Sequence, residues 1–301
     1  MFSRRHPYLF FILGFTSIIA IVVICTSLLV FISGKDSGLD FSEKVGIVEV
    51  TGVISDSRGV LDSLKEFREN ESVKAIVVRI DSPGGSVGPS QEIYREIQKT
   101  KEKKKVVASM GAIAASGGYY IASATDGIIA SPGTITGSIG VIMGFTNFRK
   151  VLDKIGLIPV VIKSGEYKDT GSPVREMTPK EKEMLEGFVK RIHRQFIDDV
   201  SAGRKLEKSR VESIADGRIL TGEEAKGMGL VDRLGNFDDA VQWAGELGGI
   251  TGQITSIFAK EKKPSWLKYL LESSIQAVMN RASDPTPHGG YLYHPTGTVS
   301  P

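Results

Sequence analysis

The apolar positions of the chain begin with one uninterrupted block. From Pro7 to Gly34 no charged residue occurs, and the apolar part runs from about Leu9 to Ile32. About 20 such residues cross a bilayer as a helix. A cleavable leader has an apolar core of only about 7–15 residues and a small-x-small site after it. No Ala-x-Ala follows here, and Cys25 is preceded by Val-Val-Ile, a poor lipoprotein site. The block therefore predicts an uncleaved transmembrane anchor over residues 8–33. Arg4 and Arg5 ahead of it put the N-terminus in the cytoplasm by the positive-inside rule. The expected localisation is the plasma membrane, single-pass, with the rest of the chain extracytoplasmic.

After a short polar linker, residues 35–43, the period changes. Val45 to Ile54 alternates around Ile47, Val48 and Val50 and reads as a strand. Val60 to Glu69 carries Leu61, Leu64 and Phe67 at helical spacing. Val73 to Ile80 is a nearly continuous apolar run, the pattern of a strand buried on both faces of a parallel sheet. A helix over Ser90–Thr100, a strand over Val106–Met110, a helix over Tyr119–Ala124 and a strand over Gly127–Ala130 come next. Gly137–Ile142 reads as a glycine-rich strand, Phe148–Ile155 as a helix and Pro159–Ile162 as a strand. This alternation predicts an α/β domain with largely parallel strands, right-handed crossovers and flanking helices.

Thr178-Pro179-Lys180-Glu181 has the form of a capping box with Pro at the first helical position, and opens a long helix to about Gly203. Beyond it lie helices over Ser209–Ala215, Thr221–Met228 and Asp238–Leu247, with a short strand at Gly229–Asp232. Ser265–Arg281 repeats Trp266, Leu267, Leu270, Leu271, Ile275 and Val278 at helical spacing. Such a helix suits either a membrane interface or a neighbouring protein surface. From Ser283 the chain holds little to bury and reads as a mobile tail.

Composition narrows this picture only a little. The chain has 301 residues, 41% hydrophobic and 24% charged, as in ordinary globular α/β proteins. A net charge of +3 gives no argument for nucleic acid. Cys25 is the only cysteine, so there is no disulfide framework, and none of His6, His193, His288 and His294 stands in metal-ligand spacing. No metal and no cofactor is expected.

Three features carry candidate chemistry. The first is Gly111-Ala112-Ile113-Ala114-Ala115-Ser116-Gly117-Gly118-Tyr119-Tyr120, where small residues bracket one hydroxyl between a strand and a helix. Small side chains let other backbone come close, and a helix start offers free N–H groups beside Ser116. Tight strand–helix packing would ask for the same residues. The second is Pro83-Gly84-Gly85 at the end of a buried strand. It can be an ordinary turn. It can also present the Gly85 N–H, with that of Gly117, to a developing oxyanion. The third is a base. His193 is the only histidine away from the termini, and its neighbours Lys190, Arg191 and Arg194 mark it as a surface or groove residue. A lysine can serve where burial strips its proton, although at a pKa of about 10.4 only about one in 2,500 is neutral at pH 7. Lys168, in a loop after a strand with Gly165 beside it, stands out only modestly as such a lysine.

Motifs in order extend these features. Ile80-Asp81-Ser82-Pro83-Gly84-Gly85, Met110-Gly111, Ala114-Ala115-Ser116-Gly117-Gly118-Tyr119-Tyr120, Thr136-Gly137-Ser138-Ile139-Gly140-Val141 and Ser164-Gly165-Glu166-Tyr167-Lys168-Asp169 resemble the signal peptide peptidase A family. Ser172-Pro173, Arg175-Glu176-Met177-Thr178 and Ala215-Asp216-Gly217-Arg218 continue the resemblance, which covers about residues 44 to 245. It implies a serine–lysine protease of the ClpP/crotonase-like fold over residues 44–250, in the short form with one catalytic domain and one anchor (1–34). Residues 251–282 are then an extension and 283–301 the tail.

The resemblance implies roles: Ser116 as nucleophile, Lys168 as general base, the N–H groups of Gly85 and Gly117 as oxyanion hole, and Ser138 as a partner orienting the lysine. It also implies a homo-oligomeric ring, an octamer, in which Ser and Lys of one site come from neighbouring protomers. The implied substrates are membrane-associated peptides such as cleaved signal peptides. The tail could enter the chamber and compete with them. Three alternatives remain: a related membrane-bound serine–lysine protease cutting stomatin-like partners, a crotonase-type acyl-CoA enzyme, and a scaffold without activity.

Overall fold

The computed structural model describes residues 7–33, 43–259 and 290–292. Two units emerge, residues 1–42 and 43–301. The first contains helix α1 (Pro7–Ser33), 27 residues without a charged side chain. At about 1.5 Å per residue its backbone is roughly 40 Å long. Among the described residues, no helix is long and apolar enough to cross a membrane.

The second unit begins β1 (Lys44–Thr51), α2 (Arg58–Glu69), β2 (Val73–Ser82), β3 (Gly84–Ser86), α3 (Val87–Lys101), β4 (Lys105–Ala115) and α4 (Gly117–Ser123). It continues β5 (Gly127–Ala130), β6 (Ile135–Gly137), α5 (Arg149–Lys154), α6 (Pro179–Arg204), α7 (Lys208–Ile214) and β7 (Ile219–Thr221). Last come α8 (Gly222–Gly227), β8 (Arg233–Leu234), α9 (Phe237–Leu247), β9 (Thr255–Phe258) and β10 (Gly290–Leu292). The main sheet runs β7-β6-β4-β2-β1-β9, with β5 beside β4 and β8 beside β5. Its pairings are parallel except β6 with β7.

Alternation along β1 and β2 decides where the core lies. Val48, Val50, Ile76, Val78 and Ile80 face one side and pack with Leu64, Phe67, Ile93, Tyr120 and Phe196 from α2, α3, α4 and α6. Val45, Ile47, Ala75 and Val77 face the other side, under Ala240, Val241 and Ala244 of α9. With both faces covered, the strands show apolar runs instead of clean alternation.

Strand β4 changes partners along its length. Its first half pairs with β5 (Val107↔Gly127) and its last residues with β6 (Ala115↔Gly137). Between them the register against β2 slips, with Ile80 opposite Met110 but Ser82 opposite Ala114. The backbone groups freed by this bulge are taken by side chains. Asp81 Oδ1 accepts from the Ile113 N–H (3.1 Å), and Thr134 Oγ1 donates to the Gly111 carbonyl (2.9 Å). Such bulges bend a strand and re-aim the residues beyond them. The first residue past the end of β4 is Ser116.

Several expectations need correcting. The strand expected to stop at Met110 runs to Ala115, because β6 supplies a new partner beyond the bulge. The glycine-rich strand expected at Gly137–Ile142 ends at Gly137, where Gly137 (φ 74°) and Ser138 (φ 51°) leave extended geometry. Pro159–Ile162 is apolar but forms no strand. Among the described residues no neighbour pairs with it, and Ile158, Val160 and Ile162 stand exposed. The strand expected at Gly229–Asp232 lies at Arg233–Leu234. The amphipathic stretch 265–281 lies outside the described residues, as does the tail apart from β10.

Helix α6 crosses α4 closely at Gly203, where an added Cβ would sit 2.1 Å from the Ser123 carbonyl oxygen. Gly203→Ala raises helix propensity by about 0.8–1 kcal/mol, yet overpacking of this kind costs about 1–3 kcal/mol. We expect the substitution to lower the urea midpoint; a raised midpoint would mean that the two helices are not in backbone contact.

Candidate active site

The carboxyl ends of β2, β4 and β6 meet at one edge of the sheet, where open parallel sheets bind ligands. Ser116 comes directly after β4 and precedes the first turn of α4. Its backbone is at φ 54°, ψ −117°, and the residue is 1% exposed. A non-glycine residue in such a region costs on the order of 1–3 kcal/mol and persists only when its surroundings impose it. Here they do. The Ser116 N–H donates to the Gly137 carbonyl (2.9 Å), and its own carbonyl accepts from the Tyr120 N–H (2.8 Å).

The helix behind the serine is pinned by the two tyrosines of its motif. Tyr119 Oη donates to the Leu230 carbonyl (3.1 Å), and burial pushes its phenol pKa upward. Tyr120 Oη donates to Asp199 on α6, which also pairs with Arg95 of α3. Tyr94 packs on Tyr120 with ring centroids 4.9 Å apart, and its pKa is pushed up to about 12, chiefly by burial. The sequence motif gives these two tyrosines no role; full burial of two adjacent phenols in a short helix shows them to be anchors.

Gly85 and Gly117 lie against each other. A Cβ on Gly117 would fall 3.2 Å from the Gly85 nitrogen and 2.7 Å from Ser90 Oγ. On its other side, Gly85 leaves no room for a Cβ, which would be 2.2 Å from the Ile54 carbonyl oxygen. Ile54 takes the Gly84 carbonyl (2.9 Å) and the Ser86 N–H (2.7 Å). Because successive peptide groups of a strand face opposite edges, the N–H and carbonyl of Gly85 point away from Ile54. Along that free edge lies β10, antiparallel, with Tyr291 opposite Gly85.

Ser138 comes just after β6 and is buried. Its N–H donates to the Arg218 carbonyl (2.7 Å), and it adjoins Gly137, the residue that holds the Ser116 N–H. His193, expected on a surface or groove, is half-buried and reaches inward, with Nε2 3.3 Å from the Ile139 carbonyl. That contact needs the proton on Nε2 and occupies it.

Lys168 is exposed, in the loop after the apolar stretch 155–162. Its N–H donates to the Gly165 carbonyl (3.2 Å). Among the described residues no hydrogen bond or ion pair joins its amine to Ser116 or Ser138. The structure therefore assembles Ser116, Gly85, Gly117 and Ser138 at one place and leaves Lys168 on a separate, solvent-facing loop.

That loop is held by ions. Arg175 donates to Asp169 through Nε and Nη2 (2.8 Å each) and to Glu181 through Nη1 (2.9 Å) and Nη2. Lys163 Nζ reaches Asp169 Oδ1 at 2.7 Å. Glu181 also closes the capping box of α6 with Thr178. Arg175 and Lys163 hold the Asp169 carboxyl far below the usual range, and Arg175, with the Thr178 N–H, lowers Glu181 to about 2. Both acids are lowered on folding. Their stabilisation is thus complete above about pH 4.5 and fades as pH falls towards about 2 for Glu181, and lower still for Asp169.

The profile of peptidase family S49 matches residues 98–251, about half of the chain, and that of Clp protease matches residues 44–134. A Synechocystis protein named as an inferred protease is 49% identical over 210 residues, 69% of this chain and 76% of its own length. The chain belongs to peptidase family S49. An Enterococcus faecium protein named as an inferred signal peptide peptidase SppA is 35% identical over 214 residues, covering 66% of this chain and 62% of its own. Protease 4 of Salmonella typhi is 36% identical over 223 residues, 73% of this chain but only 36% of its own. The S49 chain is a serine peptidase on a ClpP-like α/β scaffold, and this displaces the acyl-CoA and scaffold readings.

In this S49 chain Gly117→Ala would drive a methyl between Ser90 Oγ and the Gly85 nitrogen. Where the two glycine N–H groups serve as an oxyanion hole, displacing one of them costs about 10²–10³ in kcat. We expect a kcat loss of that order with KM little changed, and partial recovery when Ser90→Ala is added to open space. A Gly117→Ala enzyme with unchanged kcat would remove the two glycines from the chemistry.

Proposed function

We propose that this S49 peptidase is a membrane-anchored endopeptidase in which Ser116 is the nucleophile and Lys168, from a neighbouring copy, is the general base. The observation that carries the reading is the convergence of Gly85 and Gly117 beside the strained Ser116. Two N–H groups there can receive the oxygen of a carbonyl under attack. Lys168 takes the Ser116 proton as Oγ bonds to the carbonyl carbon. The ammonium then returns the proton to the leaving amine. A water, deprotonated by the same amine, releases the acyl group and restores the serine. Ser138, next to the serine's backbone partner, orients the lysine.

Two features support a shared site. Among the described residues, nothing in its own chain brings Lys168 to Ser116. The segment leading to it exposes Ile155, Leu157, Ile158, Val160 and Ile162, an apolar surface of the kind that marks an interface. A ring, by family resemblance an octamer, would cover it. The uncharged 27-residue helix α1 supports the anchor, with the catalytic unit outside the cytoplasm. The edge of β3 supports extended peptides as substrates, since β10 already lies along it. A groove of 420 Å³ is lined by Ile142, Met143, Phe145, Met177, Leu185 and Val189 together with Lys182, Glu186 and Lys190, and its apolar part suits aliphatic side chains.

Cleavage of an apolar fluorogenic peptide tests the dyad. Ser116→Ala and Lys168→Ala should each abolish it, and His193→Ala should keep it. Activity that survives Lys168→Ala and disappears with His193→Ala would overturn the mechanism. Mixing the two inactive variants tests the sharing, because a random equal mixture leaves about a quarter of the sites with both groups intact. No recovered activity would place both groups in one chain. Removing residues 283–301 should raise the rate on short peptides, if the tail competes along β3; an unchanged rate would separate the tail from the site.

A further inference from the structure

We propose that Arg175 is a positioning residue for Lys168, acting by holding the adjacent Asp169 carboxylate away from the lysine amine. The inference rests on the reading of Lys168 as the base. Lys168 and Asp169 are neighbours in one turn, where the Thr170 N–H donates to the Tyr167 carbonyl (3.2 Å). A free carboxylate one residue from a lysine is its nearest ion-pair partner. An opposite charge within about 4–6 Å makes an ammonium harder to deprotonate, by about 1–3 pH units. A lysine that must take a proton from serine cannot keep such a partner.

The structure removes it. Arg175 engages both Asp169 oxygens, and Lys163 takes a further bond on Oδ1. The Asp169 backbone carbonyl also accepts from Arg175 Nη2 (3.1 Å). The same guanidinium is fastened to Glu181, whose side chain is 3% exposed. Glu181 in turn accepts from Thr170 Oγ1 (3.2 Å) and from the Thr178 N–H (2.9 Å). The loop is thus tied to the start of the long helix α6, not to solvent. Residues 147 and 148 close the other side. Asn147 Nδ2 donates to the Arg175 carbonyl (3.0 Å), and the Phe148 N–H donates to the Pro173 carbonyl (2.6 Å).

The charged residues on the elements that hold Asp169 are Lys163, Glu166, Lys168, Arg175 and Glu176 on its own loop, Lys180, Glu181 and Lys182 at the start of α6, where Lys182 pairs with Glu186, and Arg149 on α5, which pairs with Asp153. Among these cations, Arg175 is the one that bridges the loop to α6 and binds both Asp169 oxygens. Its planar fork makes that possible, and a lysine in its place could not reproduce it.

The test is the pH profile of kcat/KM for the full-length enzyme on the apolar fluorogenic peptide. Arg175→Gln should move the acidic limb to higher pH by about one unit or more, with the loss at pH 7 mostly in kcat. Asp169→Asn added to Arg175→Gln should return the limb to its original place, because the freed carboxylate is gone. A merely structural arginine would lower activity at every pH and leave the limb unmoved, and that result overturns the proposal. So does an unrestored limb in the double variant. If Arg175→Gln does not fold, Arg175→Lys is measured on the same axis: a limb shifted in the same direction is expected, and an unmoved one overturns the proposal. Lys168→Ala run beside them separates the two failures. If it stays active, the base reading itself falls. If it is dead while the limb stays put, only the role of Arg175 does.

Discussion

Strand β4 cannot serve two neighbours that diverge without breaking its own ladder, and the break between Met110 and Ala114 is where the site originates. The peptide groups released there at buried positions need a partner. Asp81 and Thr134 supply two, and Thr136 Oγ1 takes the Ala114 carbonyl (2.7 Å). With those bonds in place the strand can bend towards β6. Ser116 then arrives where the Gly137 carbonyl can hold its N–H. The positive φ of Ser116 is a consequence of that arrival, imposed from both sides. The strain is met by the burial of Tyr119 and Tyr120, which fix the next helix against α6 and the β5–β8 side.

The same bulge accounts for the glycines. Gly111 backs onto the Asp81 side chain, where an added Cβ would sit 2.9 Å from the carboxyl carbon. Gly117, at the start of α4, and Gly85, in β3, approach through their backbones, and a Cβ on Gly117 would sit 3.2 Å from the Gly85 nitrogen. A β3 of only three residues is enough, since Ile54 binds one edge and leaves the other open. An open strand edge is a liability in most proteins. Here it gives an extended backbone a place to lie across Gly85, and β10 lies there.

Much of this architecture is legible in the sequence. Val73–Ile80 could hardly be anything but a buried strand, and the Thr178 capping box marks the start of α6 correctly. The misses share a cause. Gly84–Ser86 has no side-chain pattern, because its pairing with Ile54 is a matter of backbone alone. Pro159–Ile162 has the β-branched composition of a strand, but a strand needs a neighbour, and none of the described residues provides one. Gly137–Ile142 reads as extended until the two positive φ values are known. Lys168 carries only a modest local signal, and family resemblance singles it out. Arg175 did have a signal, in the order Asp169, Arg175, Glu181. Charges six residues apart share a face only in a strand, and residues 169–178 form turns and loop, so the order of the charges becomes meaningful only once the loop is seen.

The separation of Lys168 from Ser116 has a physical logic under the proposed mechanism. Serine and base must come within hydrogen-bond reach, and the amine must also be desolvated, since a lysine in water keeps its proton at neutral pH. A loop buried from the start would desolvate the amine during folding, which costs free energy as long as the lysine keeps its proton. Carried on an exposed loop behind an apolar arm, the ammonium stays hydrated while the chain folds. On that mechanism, docking of the arm on a second copy would supply the apolar burial that removes water, and would bring the amine to the serine in the same step. The isolated chain would then hold the serine and its two glycines without the base. On the proposed mechanism, hydrolysis would be coupled to assembly.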